Sequence, residues 1–149
     1  MGSLLSVEQQ ITAMKATWPV LVPRNVDHRL QSARWVGRLR AQYCWYTIDI
    51  RYRLGSMPEV RIISPTLVRL PDNAEGQLPH VYPPSDDATL CLFDPRTEEW
   101  NATMPLAQTT VLWTLDWLGC YELWLMTGMW TGGGRHANDP VPASMESLQ

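Results

Sequence analysis

The run from Cys44 to Leu54 constrains the fold more than any other part of the chain. Cys44, Tyr46, Ile48, Ile50, Tyr52 and Leu54 alternate with Tyr43, Trp45, Thr47, Asp49, Arg51 and Arg53. A period of two puts the first set on the apolar face of a β-strand and the second on the polar face. Cys44 falls on the apolar face, so a buried structural thiol is expected there; a reactive cysteine needs some exposure and surroundings that favour thiolate. Upstream, Trp35, Leu39 and Ala41 share a face opposite Arg34, Arg38 and Arg40, which predicts a strand over about 34–41. Gly55-Ser56-Met57-Pro58 is turn chemistry. A third strand is expected from Val60 to Ser64 and a fourth over about 66–70. Such short connections favour an antiparallel meander over crossover units. The arginines opposite the core face read as the solvated side of that sheet, interrupted by Asp49.

Helical spacing flanks the meander. Ser6-Val7-Glu8-Gln9 reads as a capping box, and Val7, Ile11, Met14 and Trp18 form an apolar stripe that Pro19 ends. Val20 to Ser32 reads as polar and irregular. Beyond Trp100, Asn101 or Thr103 can cap a helix with Pro105 in its first turn. Leu106 to Met126 is strongly apolar. Asp116 and Glu122 argue against a membrane span, since an ionised group at mid-bilayer costs about 2.5–3.5 kcal/mol. A helix buried on most sides is expected, with both acids at a wetter edge or paired. Cys120 reads as core, and Gly128 as the helix end. Gly132-Gly133-Gly134 lacks the Lys and the strand-to-helix setting of a phosphate loop, and His136 reads as exposed and idle.

With 149 residues, one domain spanning 1–149 is expected, with an ordered core over about 5–130 and a flexible tail over 131–149. A net charge of −3 gives no overall attraction to nucleic acid or anionic lipid. Three cysteines in unlike settings argue against a disulfide framework and suit a reducing cytoplasm. No secretory signal is visible, and Met1-Gly2-Ser3-Leu4-Leu5-Ser6 matches only the loose myristoylation pattern. Lys15 is the sole lysine, a bias that base composition explains more simply than avoidance of amine acceptors.

Pro71 to Pro84 is rich in Pro, Gly, Asp and Asn, hence a surface loop, and loops held by a rigid sheet are where chemistry tends to sit. It contains His80 and Tyr82 and leads into Leu90-Cys91-Leu92-Phe93. With Cys44 and Cys120 assigned to core faces, Cys91 is the candidate nucleophile. A thiolate is intrinsically nucleophilic, with a free-thiol pKa of about 8.5. No Cys/His cluster has ligand spacing, so neither metal nor cofactor is expected.

This order of parts resembles the ubiquitin-conjugating enzyme (UBC) fold: an N-terminal helix, a meander ending in prolines, a His-containing loop, Leu-Cys-Leu, a Trp and a long helix. In that family a His-Pro-Asn loop precedes the cysteine and a Trp-Ser-Pro-like segment follows it. Here His80 precedes Cys91 by eleven residues and Trp100 follows by nine, each one residue from the family's spacing. The resemblance covers about residues 5–126. It implies an α+β, UBC-like fold, with a four-stranded antiparallel meander packed on the N-terminal helix and a long buried helix. His80-Val81-Tyr82, the Trp-rich helix and the Trp-Thr-Gly-Gly-Gly end are similar to bacterial relatives from CBASS antiphage operons. Those are encoded beside cGAS/DncV-like nucleotidyltransferases. The resemblance implies a thioester on Cys91 that carries the nucleotidyltransferase's own C-terminus in antiphage defence. A separate activating enzyme is a further implied partner, since this chain has no room for a fused activating domain.

Val81 and Tyr82 replace the family's Pro and Asn. By resemblance His80 organises the loop, while the oxyanion stabiliser is either the Tyr82 phenol or backbone N–H groups near Cys91. Two rivals stand beside this reading. A cysteine-protease dyad of Cys91 with His80 lacks that family's sequence signature. A catalytically inactive adaptor of the same fold would typically have lost the cysteine.

Overall fold

The computed structural model describes residues 3–93 and 99–131. Helix α1 (Val7–Thr17) carries the expected capping box: Gln9 N donates to Ser6 Oγ, and Ser6 N donates to Gln9 Oε1. Its inward residues are Val7, Met14 and, unexpectedly, Gln10. A fully buried amide is tolerable only when both its ends are satisfied. Gln10 Nε2 donates to Met104 O (3.1 Å), and Leu106 N donates to Gln10 Oε1 (2.9 Å). Trp18 Nε1 adds a bond to Ala107 O. α1 is thus strapped to the segment that leads into the long helix.

Four strands follow as an antiparallel meander: β1 (Val22–Asp27), β2 (Ser32–Arg40), β3 (Trp45–Arg53) and β4 (Glu59–Ser64). The meander was expected, but its membership is corrected. Residues 22–27 are a strand rather than irregular chain, and 66–70 form no strand. β1 is an edge strand exposed at almost every position, so it shows no alternating pattern to read. Residues 66–70 instead run across the long helix, where Val68 N donates to Tyr121 Oη (2.7 Å). The core face of β2 and β3 carries Ala33, Trp35, Leu39, Tyr46, Ile48, Ile50 and Tyr52, in the register expected from the alternation. Gly37 in β2 is required by proximity: a Cβ there would lie 2.3 Å from Val20 O.

Two short strands, β5 (Val81–Tyr82) and β6 (Thr89–Leu90), form a separate hairpin. Helix α2 (Thr110–Thr127) starts later than expected, because Leu106–Gln108 is a 3-10 turn and Thr109, at φ −125°, leaves the helical region. Asn101 caps a local turn, its Oδ1 accepting from Thr103 N. α2 ends at Gly128, whose φ of 77° favours glycine. The helix buries Val111, Trp117, Leu118, Tyr121 and Trp124. It is not buried on most sides, since Leu112, Leu123 and Met126 lie on an exposed face. Trp35, Trp117 and Trp124 are all fully buried, and truncating one to Ala costs about 3–5 kcal/mol. Among the described residues no helix is long and apolar enough to cross a membrane.

The two acids of α2 separate. Asp116 is exposed, whereas Glu122 is buried and accepts from Gln42 N (2.9 Å), Tyr43 N (3.1 Å), Cys44 N (3.0 Å) and Tyr46 Oη (2.9 Å). One carboxylate thereby caps the whole β2–β3 turn. Burial, then the bond to Glu122, pushes the Tyr46 phenol well above its ordinary range. This turn also corrects the expectation for Cys44. β3 begins one residue later, at Trp45, so Cys44 belongs to the turn and is exposed.

Candidate active site

The β5–β6 hairpin explains how residues distant in sequence meet. Val81 pairs with Leu90 and Tyr82 with Thr89, so His80 and Cys91 are the next pair outward. Cys91 N donates to His80 O (2.9 Å). The same carbonyl accepts from Trp117 Nε1 at 2.9 Å, tying the hairpin to α2. A carbonyl has two lone pairs, and both are used. His80 holds this position at a left-handed φ of 57°, a conformation that costs a non-glycine residue energy unless its surroundings enforce it.

The imidazole lies against Trp130, with ring centres 4.9 Å apart. Trp130 also packs edge-on to Trp117 at 5.0 Å. Its backbone N donates to Glu75 Oε2, and Asn73 Nδ2 donates to Gly128 O, so the 71–78 loop clasps the end of α2. Among the described residues, the hydrogen bond joining His80 to Cys91 runs through the His80 carbonyl.

Cys91 Sγ lies 3.3 Å from Tyr82 Oη and 3.4 Å from the Phe93 carbonyl. The neutral thiol can donate to either oxygen, whereas the phenol can turn its O–H toward sulfur once sulfur is charged. The amide of Cys91 is already committed to His80 O, so of the backbone groups expected to serve an oxyanion, this one is occupied. Leu90 is buried and Cys91 fully so. The exposures of Cys44 and Cys91 are thus the reverse of those expected. Cys120 is half-buried at the core's edge, its Sγ donating to Thr131 O (3.4 Å). Burial and the Asp116 charge push its thiol pKa up, which disfavours reactivity.

The loop between β5 and β6 is held from β4 and from the chain that follows it. Arg61 Nε donates to Asp87 Oδ1 (2.9 Å), and Arg69 donates to Ser85 O. Trp100 is buried edge-on to Tyr52 and donates through Nε1 to Thr109 Oγ1. A cleft of about 460 Å³ opens beside the hairpin, lined by Met57, Glu59, Tyr82, Leu92 and Phe93 among others. Residues 94–98 of the stretch around Cys91 lie outside the described residues, as do Gly132, Gly133, Gly134, His136 and the expected tail. Among the described residues no group of His, Cys, Asp and Glu could hold a metal ion.

Sequence reading found His80, Tyr82, Cys91 and Trp100 but not Trp117, Trp130 or Glu122. In sequence those three are ordinary members of an apolar helix and its end, and only the tertiary pairing gives them their roles.

An antiparallel four-stranded sheet with an N-terminal helix, a long later helix and a cysteine hairpin between them defines a ubiquitin-conjugating-enzyme-like protein of the α+β class. Residues 10–137 match the family described as Type II CBASS E2 protein, and the chain belongs to that family. Membership gives it an E2-like role in CBASS antiphage defence, in company with other proteins of such an operon. No curated protein matches the chain.

Proposed function

We propose that the chain is a cysteine-dependent acyl transferase that carries the C-terminal acyl group of a partner protein as a thioester on Cys91. The observation behind this reading is the setting of Sγ on the β5–β6 hairpin, 3.3 Å from the Tyr82 phenol. The thiolate attacks the carbonyl carbon of an activated acyl donor. A C–S bond forms and the leaving group departs with its electron pair. An amine, or another thiol, then attacks the same carbon and loses its proton, and the C–S bond breaks to return the thiolate. Both steps pass through an oxyanion, and the step from thioester to amine needs a stabilised oxyanion more than a strong built-in base. Tyr82 is the donor to that oxyanion, and His80 is a positioning residue acting through its carbonyl. The donor carboxyl belongs to a cGAS/DncV-like nucleotidyltransferase of the same operon, activated by a separate enzyme, and the transfer takes place in the cytoplasm.

A second reading, an inactive adaptor of the same fold, has one observation in its favour: Cys91 is fully buried. Under the transferase reading the donor must displace the cover over Sγ. Incubation with the nucleotidyltransferase and an activating system separates the two. A reductant-labile adduct that becomes a stable oxyester in Cys91→Ser supports the transferase; no adduct with either protein leaves the adaptor.

A further inference from the structure

The outer face of the sheet holds a fully buried carboxylate where solvent would be expected. Asp49 lies on the face of β3 opposite the core, yet it is 0% exposed. Its two oxygens each accept from an arginine Nε: Oδ1 from Arg34 at 2.8 Å and Oδ2 from Arg51 at 3.3 Å. Bonding through Nε aims a guanidinium outward and leaves its two terminal nitrogens to act as a fork. No hydrogen bond engages those terminal nitrogens among the described residues. Arg24, Arg34 and Arg51 stand side by side in one cross-strand row, and alternation puts Arg53 on the same face one step along. Arg38, by contrast, is occupied, its guanidinium 5.2 Å from the Trp45 ring centre. On a chain of net charge −3 this is a local reversal of sign.

A cleft of about 520 Å³ lies here, lined by Asn25, Arg34, Arg51, Arg53, Met57 and Glu59 among others. Glu59 is the one carboxylate among the described lining residues; it stands opposite Arg51 in the β3–β4 register, and its Oε1 accepts from Arg61 Nη1 at 3.3 Å. Ser56, Met57 and Glu59 also line the cleft beside Tyr82 and Phe93. The two clefts therefore adjoin across the β3–β4 turn. An extended segment whose end reaches Cys91 can pass over Met57 and set a side chain among the arginines.

We propose that Arg34, Arg51 and Arg53 form an oxyanion grip for an acidic segment of the acyl-donor protein, upstream of the terminus delivered to Cys91. The proposal rests on the transferase reading for its direction along the chain. Charge complementarity selects the occupant. Screening over about 8 Å confines the arginine field to its own neighbourhood, which suits a short acidic segment. A long nucleic acid would run on over the negatively charged remainder of the protein. Asp49 is the positioning residue, holding both forks ready so that less side-chain freedom is lost on binding.

The test uses the full chain with Cys91→Ser, so no acyl chemistry enters and its outcome is independent of thioester formation. The probes are a fluorescein-labelled peptide of glutamate and leucine residues, the same peptide with glutamine for glutamate, and a single-stranded oligothymidylate. Fluorescence anisotropy is expected to show salt-sensitive binding of the glutamate peptide, weakened at least about tenfold by glutamine or by Arg34→Ala with Arg51→Ala. Asp49→Asn should weaken it less while keeping the circular dichroism spectrum. Arg40→Ala, which removes a charge at the far end of β2, should leave it unchanged. No binding of the glutamate peptide at low salt, equal loss in Arg40→Ala, or tighter binding of the oligothymidylate would overturn the proposal.

Discussion

Two hairpins of this molecule carry a cysteine, one in its turn and one at its open end, and α2 pins both by different chemistry. At the β2–β3 turn, the Glu122 carboxylate gathers three backbone N–H groups and a phenol, and Cys44 points to solvent. At the β5–β6 hairpin, the neutral indole of Trp117 shares the His80 carbonyl with the Cys91 amide, and Cys91 is buried beside a phenol. A carboxylate anchors the first, whereas a neutral indole anchors the second. Under the transferase reading, exposure alone does not mark the working thiol: Cys44 is open in its turn, whereas access to the buried Cys91 must be opened.

The contrast can be broken at its strongest point first. Glu122→Ala strands three backbone donors and the Tyr46 hydroxyl, and should cost about 3 kcal/mol of unfolding free energy in urea. A loss below about 1 kcal/mol would mean that water replaces the carboxylate and that the β2–β3 turn needs no anchor. At the other turn, Tyr82→Phe keeps the ring and removes the phenol O–H. Discharge of a preformed thioester to an amine should slow roughly a hundredfold, and an unchanged single-turnover rate would assign the oxyanion to another donor.

Alkylation followed by mass spectrometry sharpens the comparison of access. Cys44 should react first, Cys120 more slowly because burial and Asp116 raise its thiol pKa, and Cys91 last. If opening the cover costs about 2 kcal/mol, Cys91 lags Cys44 roughly thirtyfold. Equal rates would mean that Sγ is open in solution. The smallest local effect is expected for Trp117→Phe, which removes one of two donors to the His80 carbonyl and part of a buried ring. The lost hydrogen bond should lower hydrogen-exchange protection at the Cys91 amide by about 1 kcal/mol. No change there would show that Trp117 packs without positioning.

Much of this was legible before any coordinates. The alternation in β2 and β3, the capping box of α1 and the glycine end of α2 each follow from a local rule that the fold also obeys. The misreadings share a cause. β1 is an edge strand without a buried face, so periodicity had nothing to register. Cys44 lies one residue outside β3, where alternation no longer decides exposure. Gln10 is a polar residue turned inward because its partners lie far along the chain, at 104 and 106; Glu122, expected at a wetter edge or paired, is paired, with partners over 42–46 that no local rule could name. Asp49 read as a break in an arginine stripe and is instead what orients it. Local pattern shows where a side chain tends to face, while long-range partners decide the exceptions.

The central claim is that the acyl group resides on Cys91. It is tested most directly by trapping the adduct with the nucleotidyltransferase, digesting it at a pH that preserves thioesters, and locating the added mass. The account predicts that the mass lies on the peptide containing Cys91 and disappears on treatment with hydroxylamine. Mass on the peptide containing Cys44, or on Lys15, would contradict it.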